Sequence, residues 1–180
     1  MASGQVQLPD PFSFTIFPKR ENMANSKIIK ADIIPYNSGH SSLVHSWIDD
    51  EKCYYNLCLG KGYPPPEDLV DSWQRNAVKS YLIVSAGEPV AYGELWDKPF
   101  EMAVEIAHLL VDPARRSMGY GTRMIELLFE LVSQRKAVAS VHLNLFVDSK
   151  EALNCYLSAG FELVGAANYT TGLKMIRMIK

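Results

Sequence analysis

The stretch "VDPARRSMGYGTRM", residues 111–124, narrows the options of this chain more than any other. The apolar run "EIAHLLV" stops at Asp112-Pro113, and Gly119 and Gly121 follow. Met124, Ile125, Leu127, Leu128, Leu131 and Val132 then recur at helical spacing. Proline cannot donate to a ladder and glycine admits backbone angles other residues avoid, so the segment reads as strand, turn, helix. The helix is expected over 121–136. The first turn of a helix leaves N–H groups unpaired and carries the positive end of its dipole. Two residues without Cβ at that place would let an anion approach the backbone, so the segment reads either as a plain strand–helix turn or as a phosphate cradle. It is neither a G-x-x-x-x-G-K-[ST] loop nor a full G-x-G-x-x-G dinucleotide fingerprint.

The flanking pattern alternates strands and helices. "SKIIKADIIPY" reads as a strand ending at Pro35, "SGHSSLVHSWIDDEK" as one helix, and Glu67 to Lys79 as a second. Tyr81–Ser85 and Val90–Trp96 form a hairpin about Gly87, and "EMAVEIAHLLV" and "SVHLNLFV" add strands. "DSKEALNCYLSAGF" is a helix with Asp148 and Glu151 spaced for a capping box and Gly160 at its end. Glu162–Ala166 and Leu173–Ile179 close the order as a strand pair. Residues 1–26, with three prolines and little periodicity, read as an extended or poorly ordered leader, and 27–180 as one α/β domain.

Composition excludes several classes. With 18 basic and 20 acidic residues the net charge is −2, which offers no basic surface to nucleic acid. No apolar run is long enough for a membrane span, and the N-terminus lacks the basic start and apolar centre of a signal peptide, so a cytoplasmic protein is expected. Cys53, Cys58 and Cys155 are odd in number and form no C-x-x-C pair, giving neither a zinc site nor a disulfide framework. They read as inert thiols.

Arg116-x-x-Gly119-x-Gly121 matches the R/Q-x-x-G-x-G/A signature of the GNAT N-acetyltransferase superfamily. "EIAHLLVDP" is similar to that superfamily's fourth strand, and "LNLFVDSKEALNCYLSAGFE" to its fifth strand and following helix with the Y-x-x-x-G-F ending. The resemblance covers 81–165 well and 27–80 by element order. It implies a central mixed, mostly antiparallel sheet of six to seven strands flanked by about four helices. It implies acetyl-coenzyme A as acyl donor, with no metal. The backbone from Arg116 through Ser117, Met118, Gly119, Tyr120 and Gly121 to Thr122 would hold its pyrophosphate. Leu109, Leu110 and Val111 would run beside the pantetheine arm, with Asn144 and Ser149 as further contacts. Tyr156 would protonate the departing thiolate. Ser117 and Met118 replace a common Gly-Lys or Gly-Arg pair, so less charge assists the phosphate. Ser149 replaces a frequent asparagine.

A lysine-like amine at pH 7 is mostly ammonium, and exposing its free base costs about 4–5 kcal/mol. A carboxylate in a partly buried groove can take that proton. Glu105 is the first candidate, placed by alternation on the same face as Leu109. It matches the catalytic glutamate of the histone-acetyltransferase branch, which "GYGTRM" also resembles locally. Glu94 is the alternative base. His108 is expected on the opposite face as a core histidine. For the acceptor, Trp47, Tyr54, Tyr55, Tyr63 and Trp73 with Asp49, Asp50 and Glu51 would suit a cation beside an aromatic wall, or else be core and solvated helix end. The function expected is acetyl transfer to a primary amine of a small molecule, peptide or protein. A silent coenzyme-binding GNAT domain is the alternative, and a longer acyl donor and a homodimer stay open.

Overall fold

The computed structural model describes residues 29–167 and 172–179; the expected leader lies outside them. Seven strands form one sheet: β1 (Asp32–Pro35), β2 (Val78–Ser85), β3 (Glu88–Lys98), β4 (Ala103–Val111), β5 (Ser140–Phe146), β6 (Glu162–Ala166) and β7 (Gly172–Met178). Their spatial order is β1-β2-β3-β4-β5-β7-β6. Only β4 and β5 run parallel; every other neighbouring pair is antiparallel. The helices are α1 (Ser41–Ser46), α2 (Glu51–Cys58), α3 (Leu69–Ser72), α4 (Tyr120–Ser133) and α5 (Lys150–Ser158).

Each face of the sheet carries its own core. On one face α4 buries Met124, Ile125, Leu127, Leu128 and Val132 against Leu95, Ile106, Leu143 and Phe161. At about 1.5–3 kcal/mol for each large apolar side chain removed from water, that stripe alone anchors the helix. On the other face α1, α2 and α3 supply Val44, Trp47, Tyr54, Val70 and Trp73 to Leu82, Tyr92 and Leu110.

Three local expectations are corrected. The helix expected over 38–52 is broken, because Asp50 takes extended angles and its carboxylate accepts the Cys53 N–H at 2.6 Å, starting α2 as a separate helix. The helix expected from Glu67 to Lys79 is only α3. Residues from Val78 onward instead pair with β3, Val78 facing Trp96, and the ladder takes their backbone bonds. The capping box of Asp148 and Glu151 does not form: Ser149 occupies the cap of α5 and no side chain bonds there. The hairpin forms, longer than expected, with Ala86 and Gly87 both at positive φ (52° and 87°), as a tight two-residue connection requires. Gly160 closes α5 at φ 81°.

Candidate active site

The parallel strands β4 and β5 pair only from Ala103 opposite Ser140 to Ile106 opposite Leu143. Beyond Ile106 the strands part, and a groove of about 280 Å³ opens between His108, Leu109 and Leu110 on one side and Asn144, Leu145 and Phe146 on the other. Ser149, Ala152 and Tyr156 of α5 and Lys52, Cys53 and Leu57 of α2 complete its lining. The Tyr55 ring of α2 reaches across to Phe146, centroids 5.1 Å apart.

A β-bulge causes the parting. Tyr92 faces Leu110 and Glu94 faces Ala107, so two steps on β3 match three on β4. His108 absorbs the extra residue at φ 46°, a left-handed conformation costing a non-glycine residue about 1–2 kcal/mol. Leu109 then turns its side chain into the α4 core, where it lies over Gly93: a Cβ there would stand 2.8 Å from Leu109 Cδ2.

The bulge overturns two expectations based on alternation. Glu105 lies opposite Trp96 on the helix α1–α3 face, whereas Leu109 packs on the α4 face, so the two do not share a side. His108 in turn sits on the same face as Glu105, its ring against Trp73, Trp96 and Glu94.

The loop before α4 presents its backbone. Ser117 (φ 62°) and Gly119 (φ 89°) are left-handed, and Gly119 caps the helix without a side-chain bond. The loop's longer side chains point away. Arg116 binds Asp49 through both terminal nitrogens at 2.8 Å and the Trp47 carbonyl at 3.0 Å. The Tyr120 hydroxyl donates to Ser85 at 3.1 Å, and Thr122 Oγ1 lies 3.2 Å from Cys155 Sγ. Met118 is exposed. Among the described residues, the amides from Ser117 to Thr122 have no backbone acceptor, so a row of N–H donors stands at the positive end of α4.

Glu105 accepts from Asn144 Nδ2 at 2.8 Å and pairs with Lys98 Nζ at 3.2 Å. Asn144 lines the groove but spends this donor on Glu105. Glu94 is fully buried. Its Oε1 accepts from the Tyr92 hydroxyl at 2.6 Å; its Oε2 accepts from Trp96 Nε1 at 2.6 Å and faces His108 Nδ1 at 3.0 Å. Burial, and next the charge of Glu94, push the Tyr92 phenol well above its ordinary range, so it donates to Glu94 as a neutral hydroxyl. This cluster of Glu94, His108, Tyr92 and Trp96 was missed as a unit in the sequence. The signal was the two-residue spacing of Tyr92, Glu94 and Trp96, which puts all three side chains on one face of a strand.

The expected acceptor wall is largely structural. Trp47, Tyr54 and Trp73 are core, Asp49 is held by Arg116, and Asp50 caps α2, while Tyr55 and Tyr63 are exposed. Burial raises the thiol pKa values of Cys53, Cys58 and Cys155. Among the described residues no group of three or more His, Cys, Asp or Glu side chains gathers as a metal site, and no helix is long and apolar enough to cross a membrane.

Known proteins resemble this chain in sequence or in fold. The chain is 25% identical over 109 residues to aminoglycoside N(6')-acetyltransferase type 1 of Klebsiella pneumoniae and of Serratia marcescens. The match covers 54% of this chain and 54% of each relative, so the chain spans about half the length of the curated relatives it matches. Its fold is similar to that of aminoglycoside acetyltransferase AAC(6')-Ib in complex with coenzyme A and kanamycin (TM-score 0.70, 16% identity, 83% of this chain and 95% of that one). It is also similar to spermidine N-acetyltransferase from Vibrio cholerae in complex with coenzyme A and spermine (TM-score 0.67, 14% identity, 83% and 95%). Residues 44–161 match the Acetyltransferase (GNAT) family, and the chain belongs to it.

Proposed function

We propose that the protein transfers an acetyl group from acetyl-coenzyme A to a primary amine of a small, cationic molecule by direct attack. The observation that carries this reading is the opening between β4 and β5 beside a loop whose amides lack acceptors. A pyrophosphate fits the N–H row from Ser117 to Thr122. The free edge of β4 beyond Ile106 offers backbone groups at Leu109, Leu110 and Val111 to an extended amide-containing arm. That arm would bring its thioester into the groove lined by Tyr156, Asn144 and Ser149. Tyr156 protonates the sulfur as it leaves. The ammonium's proton departs on the other face of β4, where Glu105 on one hand and His108 with Glu94 on the other can receive it.

The acceptor class rests on the named relatives, which are aminoglycoside acetyltransferases and a spermidine acetyltransferase in complex with spermine. A thiol-release assay with acetyl-coenzyme A tests the reading against polyamines, aminoglycosides and peptide N-termini. Release with at least one small polyamine is expected. Calorimetric binding of acetyl-coenzyme A without release from any amine would make the protein a silent coenzyme-binding module instead, and absence of binding would overturn the donor as well.

A further inference from the structure

The groups around Glu94 determine where the His108 proton sits. Gln74 Nε2 donates to the Tyr92 hydroxyl at 3.0 Å, which leaves that hydroxyl to donate onward to Glu94 Oε1 at 2.6 Å. The indole N–H of Trp96 has no acceptor capacity, so Glu94 Oε2 must accept from it at 2.6 Å. Both carboxylate oxygens are thus acceptors, as in an ionised group, and no Lys or Arg stands within ion-pair distance of Glu94 among the described residues. His108 Nδ1 faces the same Oε2 at 3.0 Å and carries the hydrogen. In the neutral ring, Nε2 is then a bare lone pair.

That lone pair is placed for use. Nε2 has no hydrogen-bond partner among the described residues and is not sealed from solvent, and His108 is one of the residues that line the groove between β4 and β5. Trp73 stacks on the ring with centroids 4.2 Å apart, and Trp96 meets it edge-on at 5.2 Å. The imidazole is clamped on its carboxylate side, and the His108 side chain keeps 9% exposure. His108 immediately precedes Leu109 on the free edge of β4, and it holds a left-handed backbone at the bulge that opens the groove.

Resting on the acetyl transfer proposed above, we infer that His108 is the catalytic base and Glu94 the residue that positions it. Nε2 takes one proton from the substrate ammonium, and the adjacent Glu94 carboxylate stabilises the imidazolium. The freed nitrogen pair forms the N–C bond at the thioester carbonyl, whose π pair moves to oxygen. The nitrogen then loses its second proton, the oxyanion collapses and the C–S bond breaks. The thiolate takes the Tyr156 proton, and Tyr156 is refilled from solvent by the proton that left nitrogen. Imidazolium returns its proton to solvent, so the cycle yields amide, free thiol and one net proton. Glu105, tied to Lys98 and Asn144, keeps a structural ion pair.

His108→Asn tests the assignment, because asparagine tolerates the left-handed backbone and its amide can still donate to Glu94 while offering no basic nitrogen. With an amine that the wild type acetylates, kcat/KM for that amine should fall about 10²-fold or more. The calorimetric Kd for acetyl-coenzyme A should stay within threefold. In the free wild-type protein, 15N spectra of the histidine rings should show a His108 with its proton on Nδ1 and a bare Nε2. Glu94→Gln should move that proton off Nδ1 in part of the population and lower kcat with it. A His108→Asn enzyme within threefold of wild type, a larger loss in Glu105→Gln, or a wild-type His108 protonated on Nε2 alone would each overturn the inference while leaving the acetyltransferase reading intact. A wild type that acetylates no amine overturns both, and the ring spectra distinguish the two failures.

Discussion

Arg116 and Asp49 tie the loop before α4 to the start of α2: two guanidinium nitrogens each lie 2.8 Å from a different carboxylate oxygen. The hydrogen bonds from Arg116 hold the Asp49 carboxyl below its ordinary value of 3.8. A carboxyl depressed in the folded state adds stability above its unfolded value, and that stability is lost as pH falls through the folded one. Both side chains are over a third exposed (40% and 35%), so the contribution is about 1 kcal/mol or less. In Arg116→Gln the Asp49 titration, followed by 13C carboxyl shifts, should move up toward 3.8, and the stability difference from wild type should vanish as pH falls through the wild-type Asp49 titration. An unmoved titration would show that the pair does not persist in solution.

Gly93 should be irreplaceable on packing grounds. A Cβ there meets Leu109 Cδ2 at 2.8 Å, Met124 Cε at 3.0 Å and Leu128 Cδ1 at 3.1 Å. Gly93→Ala should destabilise by about 1–3 kcal/mol in denaturant unfolding. Because the clash bears on Leu109, acetyl-coenzyme A affinity should fall as well. A neutral substitution would mean that the bulge relaxes without cost.

The two loop glycines should respond differently. Gly119 is left-handed, and an added Cβ would meet Ile29 Cδ1 at 2.8 Å; Gly121 would meet only Cys155 Sγ at 3.5 Å and Val111 Cγ2 at 3.7 Å. Gly119→Ala should therefore cost about 1–2 kcal/mol in stability and Gly121→Ala under about 0.5 kcal/mol. Gly121→Asp should keep the fold yet abolish calorimetric binding of acetyl-coenzyme A, since it sets a negative charge among the N–H groups proposed to hold the pyrophosphate. Wild-type affinity in that variant would refute the cradle.

Tyr156→Phe removes one oxygen from a buried ring on the groove wall. Turnover should fall about 10²-fold while coenzyme affinity stays within a few-fold, as for loss of a general acid. The two effects are read separately by steady-state rates and calorimetry. Full turnover with chemistry rate-limiting would leave Tyr156 a packing residue.

Cys155 should be a poor nucleophile. Burial raises its pKa above the ordinary 9.0, outweighing the Thr122 hydrogen bond that lowers it. Its thiolate fraction at pH 7–8 is consequently below that of a free thiol, and alkylation should be slower and keep rising with pH beyond 9. Mass spectrometry after timed iodoacetamide exposure reads this. Labelling of Cys155 at the rate of free cysteine would contradict its reading as an inert thiol.

The features legible in the sequence were those whose physics is local. The spacing of Gly119 and Gly121, the apolar stripe of α4 and the Ala86-Gly87 hairpin depend on neighbours a few residues away. Periodicity and turn chemistry therefore report them directly. The face on which Glu105, His108 and Leu109 lie is not local. It depends on one extra residue in β4 opposite Gly93 of β3, and a bulge reverses every later side chain while leaving the sequence pattern unchanged. The partners of Glu94 and Arg116 were likewise out of reach. His108 stands 14 residues from Glu94 and Asp49 stands 67 from Arg116, and only the closed sheet brings either pair within hydrogen-bond range. The glycine turn before α4 could thus be read from residue types, whereas the neighbours of each ionisable side chain were selected by register and packing.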